Sequence, residues 1–284
     1  SDYPNVDWQS SSANNIVLVE SGKQYKVLTL TDCFEYDEQT YNYYGSYSFT
    51  GTKIEQAVVT AILNVTTDDK VVVDMIKGNN EQDYSSLKTL LENNAYQVNE
   101  VSLATGDFDS NAKIAIMYAP SVDLDEKIVE KLSTWLSNDG KYGRSLIYVP
   151  TADMGEMPNL DDFLKEWGMS IDRGYVFETD ESTLVSASSP YAFTVSYGDY
   201  YTENLKNSKI PVVVSESHAV KITDENTAHA LLTTSDKAGV LPIDADKNWD
   251  YKDAVSGNGE NVAAEGVMTN EDKNSSRVII FGSY

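Results

Sequence analysis

Between residues 70 and 177, apolar runs of strand length alternate with amphipathic stretches of helix length, and this alternation constrains the fold more than any other feature. Val71–Ile76, Lys113–Ala119 (closed by Pro120) and Ser145–Val149 (closed by Pro150) lack the period-two pattern of a half-exposed strand. They read as strands covered on both faces. Glu81–Asn93 places Tyr84, Leu87, Leu90 and Leu91 on one side of a helix, and Tyr96–Leu103 alternates as a strand. Asp123–Asn138 has the clearest helical stripe: Leu124, Ile128, Val129, Leu132, Trp135 and Leu136, with Asp123 as N-cap and Gly140 beyond its end. Leu160–Trp167 reads as a short helix and Ser170–Phe177 as a strand. Such an order predicts α/β architecture: a three-layer, mostly parallel sheet with 81–93 and 123–138 as right-handed crossovers.

The flanks are less regular. Residues 1–24 are polar around an edge strand at Ile16–Val19, and Tyr25–Leu30 reads as a strand. A loop from Glu35 to Phe49 carries Tyr36, Tyr41, Tyr43, Tyr44 and Tyr47; after it, Gly51–Leu63 has helical spacing at Ile54, Ala57, Val58, Ala61 and Ile62. Beyond residue 180, strands are expected at Tyr191–Tyr197, Pro211–Ser215, Ala228–Thr233 and Arg277–Phe281, and a long polar loop at Asp244–Glu271. The organisation expected is one domain over 1–284. Its regular core covers about 51–177, and the segments 1–50 and 178–284 are added to that core.

Charge removes whole classes of function. With 21 Lys+Arg against 45 Asp+Glu, the formal charge of −24 leaves no basic face for nucleic acid or for an anionic lipid surface. Arg144, Arg173 and Arg277 are the only arginines, so bidentate phosphate clamps are scarce. The sole cysteine, Cys33, cannot form an intramolecular disulfide, and no Cys/His cluster suggests a metal or cofactor. No apolar run reaches bilayer-spanning length, and the chain starts at Ser1-Asp2-Tyr3-Pro4 without a signal peptide. The expectation is an excised piece of a membrane-anchored protein, touching the membrane only through segments outside this sequence.

In an open parallel sheet the usual ligand crevice lies beyond the carboxyl ends of the strands. Those ends carry Lys77-Gly78-Asn79-Asn80-Glu81, Ala119-Pro120-Ser121 and Pro150-Thr151-Ala152-Asp153. Lys77, Gly78, Asn79, Asn80, Glu81, Ser121 and Thr151 are therefore the candidate ligand-binding residues. The plainer reading of the first turn is purely structural, with Asn80 as N-cap and Glu81 favoured by the helix dipole. Neither phosphate-loop spacing is present. A Cys33 nucleophile would need a base from His218 or His229 and a tight elbow, and Cys33 lies in Thr31-Asp32-Cys33-Phe34 without small neighbours. No catalytic residue is assigned. Asp244-Ala245-Asp246-Lys247-Asn248-Trp249-Asp250 begins like a calcium loop but lacks the sixth-position glycine, and Val255 stands where a glutamate should close it. No metal site is assigned either. The tyrosine loop could stack on sugars or a protein partner.

The order of several short passages resembles a known family. Gly51–Ile62 leads into a strand and a small turn with a glutamate; Leu90-Leu91 through Tyr96-Gln97-Val98 follows. Then come Ile116–Leu124, Leu132–Gly140, Asn159–Met169 and the closing Arg277–Ser283. Together they resemble the extracytoplasmic domain of GldG-type ABC-transporter auxiliary proteins, over most of residues 25–177 and again at the C-terminal end. The family's turn after the first core strand runs roughly T-G-H-G-E; here it reads Lys77-Gly78-Asn79-Asn80-Glu81, without the histidine or the second glycine. The resemblance implies a flavodoxin-like or glutamine-amidotransferase-like fold. It also implies a non-catalytic domain on the extracytoplasmic face, working with an ABC permease and ATPase. The competing expectations are an amidotransferase-like or hydrolase enzyme and a surface carbohydrate-binding module.

Overall fold

Apolar runs too continuous for a half-exposed strand become parallel strands inside a sheet. In the computed structural model, which describes residues 3, 6, 15–198, 200, 211–246, 248–250, 252, 254–255 and 257–284, the chain packs as two compact units. One comprises residues 1–71 with 85–98, the other residues 72–84 with 99–284.

In the first unit, β1 (Val17–Ser21) and β2 (Gln24–Leu28) form an antiparallel hairpin that turns at Gly22, where φ is +61°. A short helix α1 (Leu30–Cys33) follows, its start held by the Thr29 N–H donating to the Asp32 carboxylate at 2.7 Å. β3 (Phe34–Tyr36) and β4 (Phe49–Thr52) pair antiparallel. The tyrosine segment between them, expected to be a loop, winds into α2 (Glu38–Tyr44). Asp37 caps it by accepting from the Thr40 N–H at 2.6 Å, and Gly45 ends it in the left-handed conformation. The next helix, α3 (Ile54–Thr66), buries Ala57, Ala61, Asn64 and Val65, whereas Ile54 and Ile62 of the expected stripe are 43% and 48% exposed. The row 57–61–64–65 is a single face, and its alanines set how closely that face packs. α4 (Ser85–Asn93) buries no residue and starts four residues later than its apolar spacing suggested.

The second unit contains β5 (Val72–Ile76), β6 (Gln97–Val101, of which 99–101 belong here), β7 (Ala112–Tyr118), α5 (Glu126–Ser137), β8 (Ser145–Val149) and α6 (Pro158–Glu166). After these come β9 (Met169–Asp172), β10 (Tyr175–Phe177), β11 (Leu184–Ser186), β12 (Ser189–Tyr197), β13 (Val212–Ser215) and β14 (Ala219–Ile222). The last are β15 (Ala228–Thr233), β16 (Gly239–Leu241), β17 (Asn261–Thr269) and β18 (Ser275–Phe281). The large sheet runs β11-β12-β15-β17-β18-β8-β7-β5-β6, with β13 also paired to β12. β5, β7, β8 and β18 are mutually parallel; from β18 outward through β17, β15 and β12 the pairing is antiparallel. The chain is α/β, with helices beside a large central sheet whose middle is parallel. Every residue of β5 is buried. Tyr148, Phe163, Met75, Met117, Leu132 and Leu136 are among the largest fully buried side chains.

Three local expectations differ from what forms. The N-cap of α5 is Asp125, not Asp123; the Asp123 carboxylate instead accepts the N–H groups of Leu124, Asn159 and Leu160, and so pins the start of α6. The strand expected at 170–177 breaks at Arg173-Gly174, where the backbone passes Leu241 so closely that a Cβ on Gly174 would lie 2.3 Å from its carbonyl oxygen. Its halves, β9 and β10, pair with β14 and β16 in two separate two-stranded sheets. The polar loop expected over 244–271 contains β17, a buried strand beside β18. Its Ala263, Ala264 and Gly266 carry little apolar area in sequence, and at Gly266 the backbone of Trp167 leaves no room for more. A Cβ on Gly266 would meet the Trp167 carbonyl oxygen at 2.2 Å.

Candidate functional site

The parallel strands β5, β7 and β8 deliver their following loops to one end of the second unit, so the turns at 77–81, 119–121 and 150–153 share that end. Gly78 has φ +117°, a backbone conformation that suits glycine, and Asn80 is left-handed at φ +54°. This contortion aims the N–H groups of Gly78 and Asn79 at a common point, as an anion-binding turn would. The chain fills that point itself. Glu81 folds back so that its two oxygens accept the Gly78 N–H at 3.0 Å and the Asn79 N–H at 2.9 Å.

The rest of the turn is closed as well. Buried Asn79 donates to the carbonyls of Val122 (3.4 Å) and Asp123 (3.0 Å), while its own carbonyl accepts from the N–H groups of Ser121 and Val122, each at 3.1 Å. The Asn80 amide donates to the Ser121 hydroxyl, which donates in turn to the Asn80 carbonyl at 3.0 Å. Lys77 pairs with Glu100 at 3.1 Å. Asn80 is therefore not a helix cap, and Glu81 is not at a helix N-terminus: α4 starts at Ser85, and the Gln82 N–H is drawn to the Ala119 carbonyl at 3.2 Å. Five of the seven candidate residues thus meet in one network, with Lys77 turned to Glu100 and Thr151 on the next strand end.

Thr151 is buried, and its carbonyl faces a group that local motifs did not single out for this end of the sheet. His218, 1% exposed, has Nε2 at 3.0 Å from the Thr151 carbonyl oxygen and Nδ1 at 3.0 Å from the Gly174 carbonyl oxygen. Which ring nitrogen donates depends on the tautomer, and both are held against backbone carbonyls. The Tyr175 ring stacks on His218 at 5.5 Å, and its hydroxyl donates to the Ala152 carbonyl at 2.8 Å. Burial, and then the nearby Asp153 carboxylate, push the Tyr175 phenol above its ordinary pKa. Burial likewise raises Tyr118, helped by Tyr284 and Asp83. Thr151 and His218 lie 67 positions apart in sequence, so nothing local linked them.

Other candidate groups lie elsewhere. Cys33 is buried in the first unit with Leu28, Ala57 and Ala61. His229 lies on β15 with its ring stacked on Tyr200 at 4.1 Å. In the acidic run 244–250, Lys247 is outside the described residues, and the Asp246 carboxylate accepts the Asn248 N–H at 2.7 Å. Among the described residues, no three His, Cys, Asp or Glu side chains are grouped to hold a metal ion, and no helix is long and apolar enough to cross a membrane.

No protein-family model matches the chain. No curated protein matches it either. Among solved structures, the chain is similar to the N-terminal domain of mmIFT52, with a TM-score of 0.53 and 13% identity over 75% of this chain and 86% of that one. A glutamine amidotransferase from Thermotoga maritima aligns with a TM-score of 0.40 at 9% identity, over 76% of each chain. PurLQS from Thermotoga maritima aligns at 0.34 and 8%, over 76% of this chain and 88% of that one. The last two are too distant to carry an argument, and the likeness to the mmIFT52 domain is one of fold alone.

Proposed function

We propose that this chain is a non-catalytic binding or scaffolding domain, held on the extracytoplasmic face of a membrane as the auxiliary component of a bacterial ABC-type transport system. The observation that carries the non-catalytic part is the self-filled turn at the strand ends. Stabilising a charged transition state requires preorganised donors left open for it. Here the Gly78 and Asn79 N–H groups already hold the Glu81 carboxylate. The one imidazole at this end, His218, has both ring nitrogens against backbone carbonyls. Lys77, Asn80, Ser121 and Thr151 then serve to shape and hold a docking face. The finer architecture that goes with this reading is a three-layer, flavodoxin-like arrangement.

The transport assignment rests on the sequence resemblance, and its partners are the permease and ATPase of the same system. Affinity capture of the full-length protein from membranes of its own host tests it. The expected result is co-purification of an ABC permease and ATPase. Hydrolysis of glutamine or an ester by the purified chain, abolished by His218→Ala in a variant that still folds, would replace this reading with the enzyme one.

A further inference from the structure

The most unusual surface of the first unit is the tyrosine segment. Phe34, Phe49, Tyr47 and Tyr41 form a continuous run of rings: Phe34–Phe49 centroids 5.2 Å apart, Tyr47–Phe49 stacked at 5.8 Å, Tyr41–Tyr47 stacked at 4.6 Å. Tyr36 closes edge-on against both Tyr41 and Tyr47. Beside them, Tyr43 and Tyr44 touch edge to face at 4.8 Å and are 82% and 73% exposed. α2, which carries three of these rings, buries none of its residues. Phe34 at one end packs against the small core of this unit, but Tyr41, Tyr47 and Phe49 are 37–46% exposed, an arrangement that leaves apolar area in water at a cost of about 25 cal/mol per Å².

Charge narrows what can cover it. From residue 34 to 52 there are three acidic side chains, Glu35, Asp37 and Glu38, and no lysine or arginine, whereas Asp32 lines a pocket with Lys26 and Lys53. An anionic lipid surface is repelled by such a rim, and a second copy would bring the same acidic rim against it. A neutral sugar would stack on the open Tyr43 and Tyr44 faces but gains no attraction from the acidic rim. A guanidinium satisfies both features, since it lies flat on a tyrosine face and pairs with a carboxylate. We infer that the Phe34–Phe49 ridge is a docking surface for an arginine-bearing segment of a protein partner, with Tyr43 and Tyr44 as its exposed anchors and Glu38, on the same helix, as its counter-charge. This surface does not depend on the transport reading; it would remain if the partner proved to be something other than a permease.

Three repeat peptides, arginine–glycine, lysine–glycine and glutamate–glycine, titrated calorimetrically into the purified chain at physiological salt, test this inference. The arginine peptide should bind, the lysine peptide should bind several-fold more weakly, and the glutamate peptide should not bind. The doubly substituted Tyr43→Ser, Tyr44→Ser chain should lose roughly tenfold in affinity for the arginine peptide, the size expected for desolvated cation–aromatic contacts. Both side chains are largely solvent-exposed, so the circular dichroism spectrum should not change. Equal binding by the substituted chain would show that diffuse negative charge is responsible, and would overturn the proposal. So would equal affinity for arginine and lysine peptides, no binding of the arginine peptide, or binding of maltohexaose that the same pair abolishes.

Discussion

The two units keep their apolar side chains in opposite ways. The second unit buries Tyr148, Phe163, Trp167 and several Met and Leu side chains in one continuous core. The first assembles its small core from Leu28, Cys33, Ala57 and Ala61. Of the nineteen large hydrophobic side chains that are exposed among the described residues, twelve belong to the first unit, although it contributes fewer than a third of the residues. Burying a large side chain is worth roughly 1.5–3 kcal/mol, so the second unit holds most of the folding free energy. The first unit has apolar area to spare for contact. The same sequence property, many apolar residues at helical spacing, therefore means core in one region and surface in the other.

The largest effect should come from opening the second unit's core. Phe163 on α6 is 1% exposed and packs near Trp167, with ring centroids 6.3 Å apart. Phe163→Ala should cost about 3–5 kcal/mol, the range for truncating a buried aromatic side chain. Urea denaturation followed by tryptophan fluorescence is a suitable measurement, because Trp135, Trp167 and Trp249 all lie in the second unit. A loss below about 1 kcal/mol would break the comparison, since it would mean that this core is no tighter than the first unit's.

A buried carboxylate gives the next largest effect. Glu178, 1% exposed, accepts the N–H groups of Thr179 (2.8 Å) and Asp180 (2.8 Å), and both the hydroxyl (2.9 Å) and N–H (3.2 Å) of Ser235. Glu178→Ala strands those donors and should cost about 2–4 kcal/mol in the same assay. Glu178→Gln keeps the shape but can accept on one oxygen only, and should fall between. Asp180 beside it adds a pH signature. Hydrogen bonds from Ser182 and Lys237 lower its carboxyl to about 2 from the ordinary 3.8. A depressed folded-state pKa means that its contribution is complete above about pH 4 and lost as pH falls toward 2. Asp180→Asn should remove that acid-side slope by lowering stability above about pH 4 while leaving it unchanged near pH 2.

What was legible in the sequence follows the same division. β5, β7 and β8, with the stripe of α5, could be read directly because strands covered on both faces and helices with one buried face leave strong periods. β17 could not, because its buried positions are mostly Ala and Gly, and at Gly266 Trp167 leaves no room for a side chain. The candidate turn 77–81 was located correctly as a strand end, but its internal closure was invisible: nothing in Gly78-Asn79-Asn80-Glu81 says that the glutamate turns back rather than starting a helix. His218 was invisible as a member of this end because its partners, Thr151 and Gly174, are 67 and 44 residues away. In the first unit, α3 was read as helical but its facing was not. Ile54 and Ile62 dominate the apolar pattern, yet the alanines are what pack.

The smallest effect sharpens the comparison most. Val59 and Ile62 on α3 are 65% and 48% exposed, so replacing them removes little buried area. Val59→Ser and Ile62→Ser should each change stability by under about 0.5 kcal/mol, as surface substitutions away from caps and cores do. The buried face of the same helix supplies the control. Ala61 is 0% exposed, and Ala61→Leu would push three more heavy atoms into a tightly packed core, at about 1–3 kcal/mol. If the two serine substitutions instead destabilise the chain by as much as Ala61→Leu, then Val59 and Ile62 must be covered in solution, and the first unit is not a unit with apolar surface to spare. If they are neutral but lower the binding of a hydrophobic dye, the surplus apolar surface is real and accessible.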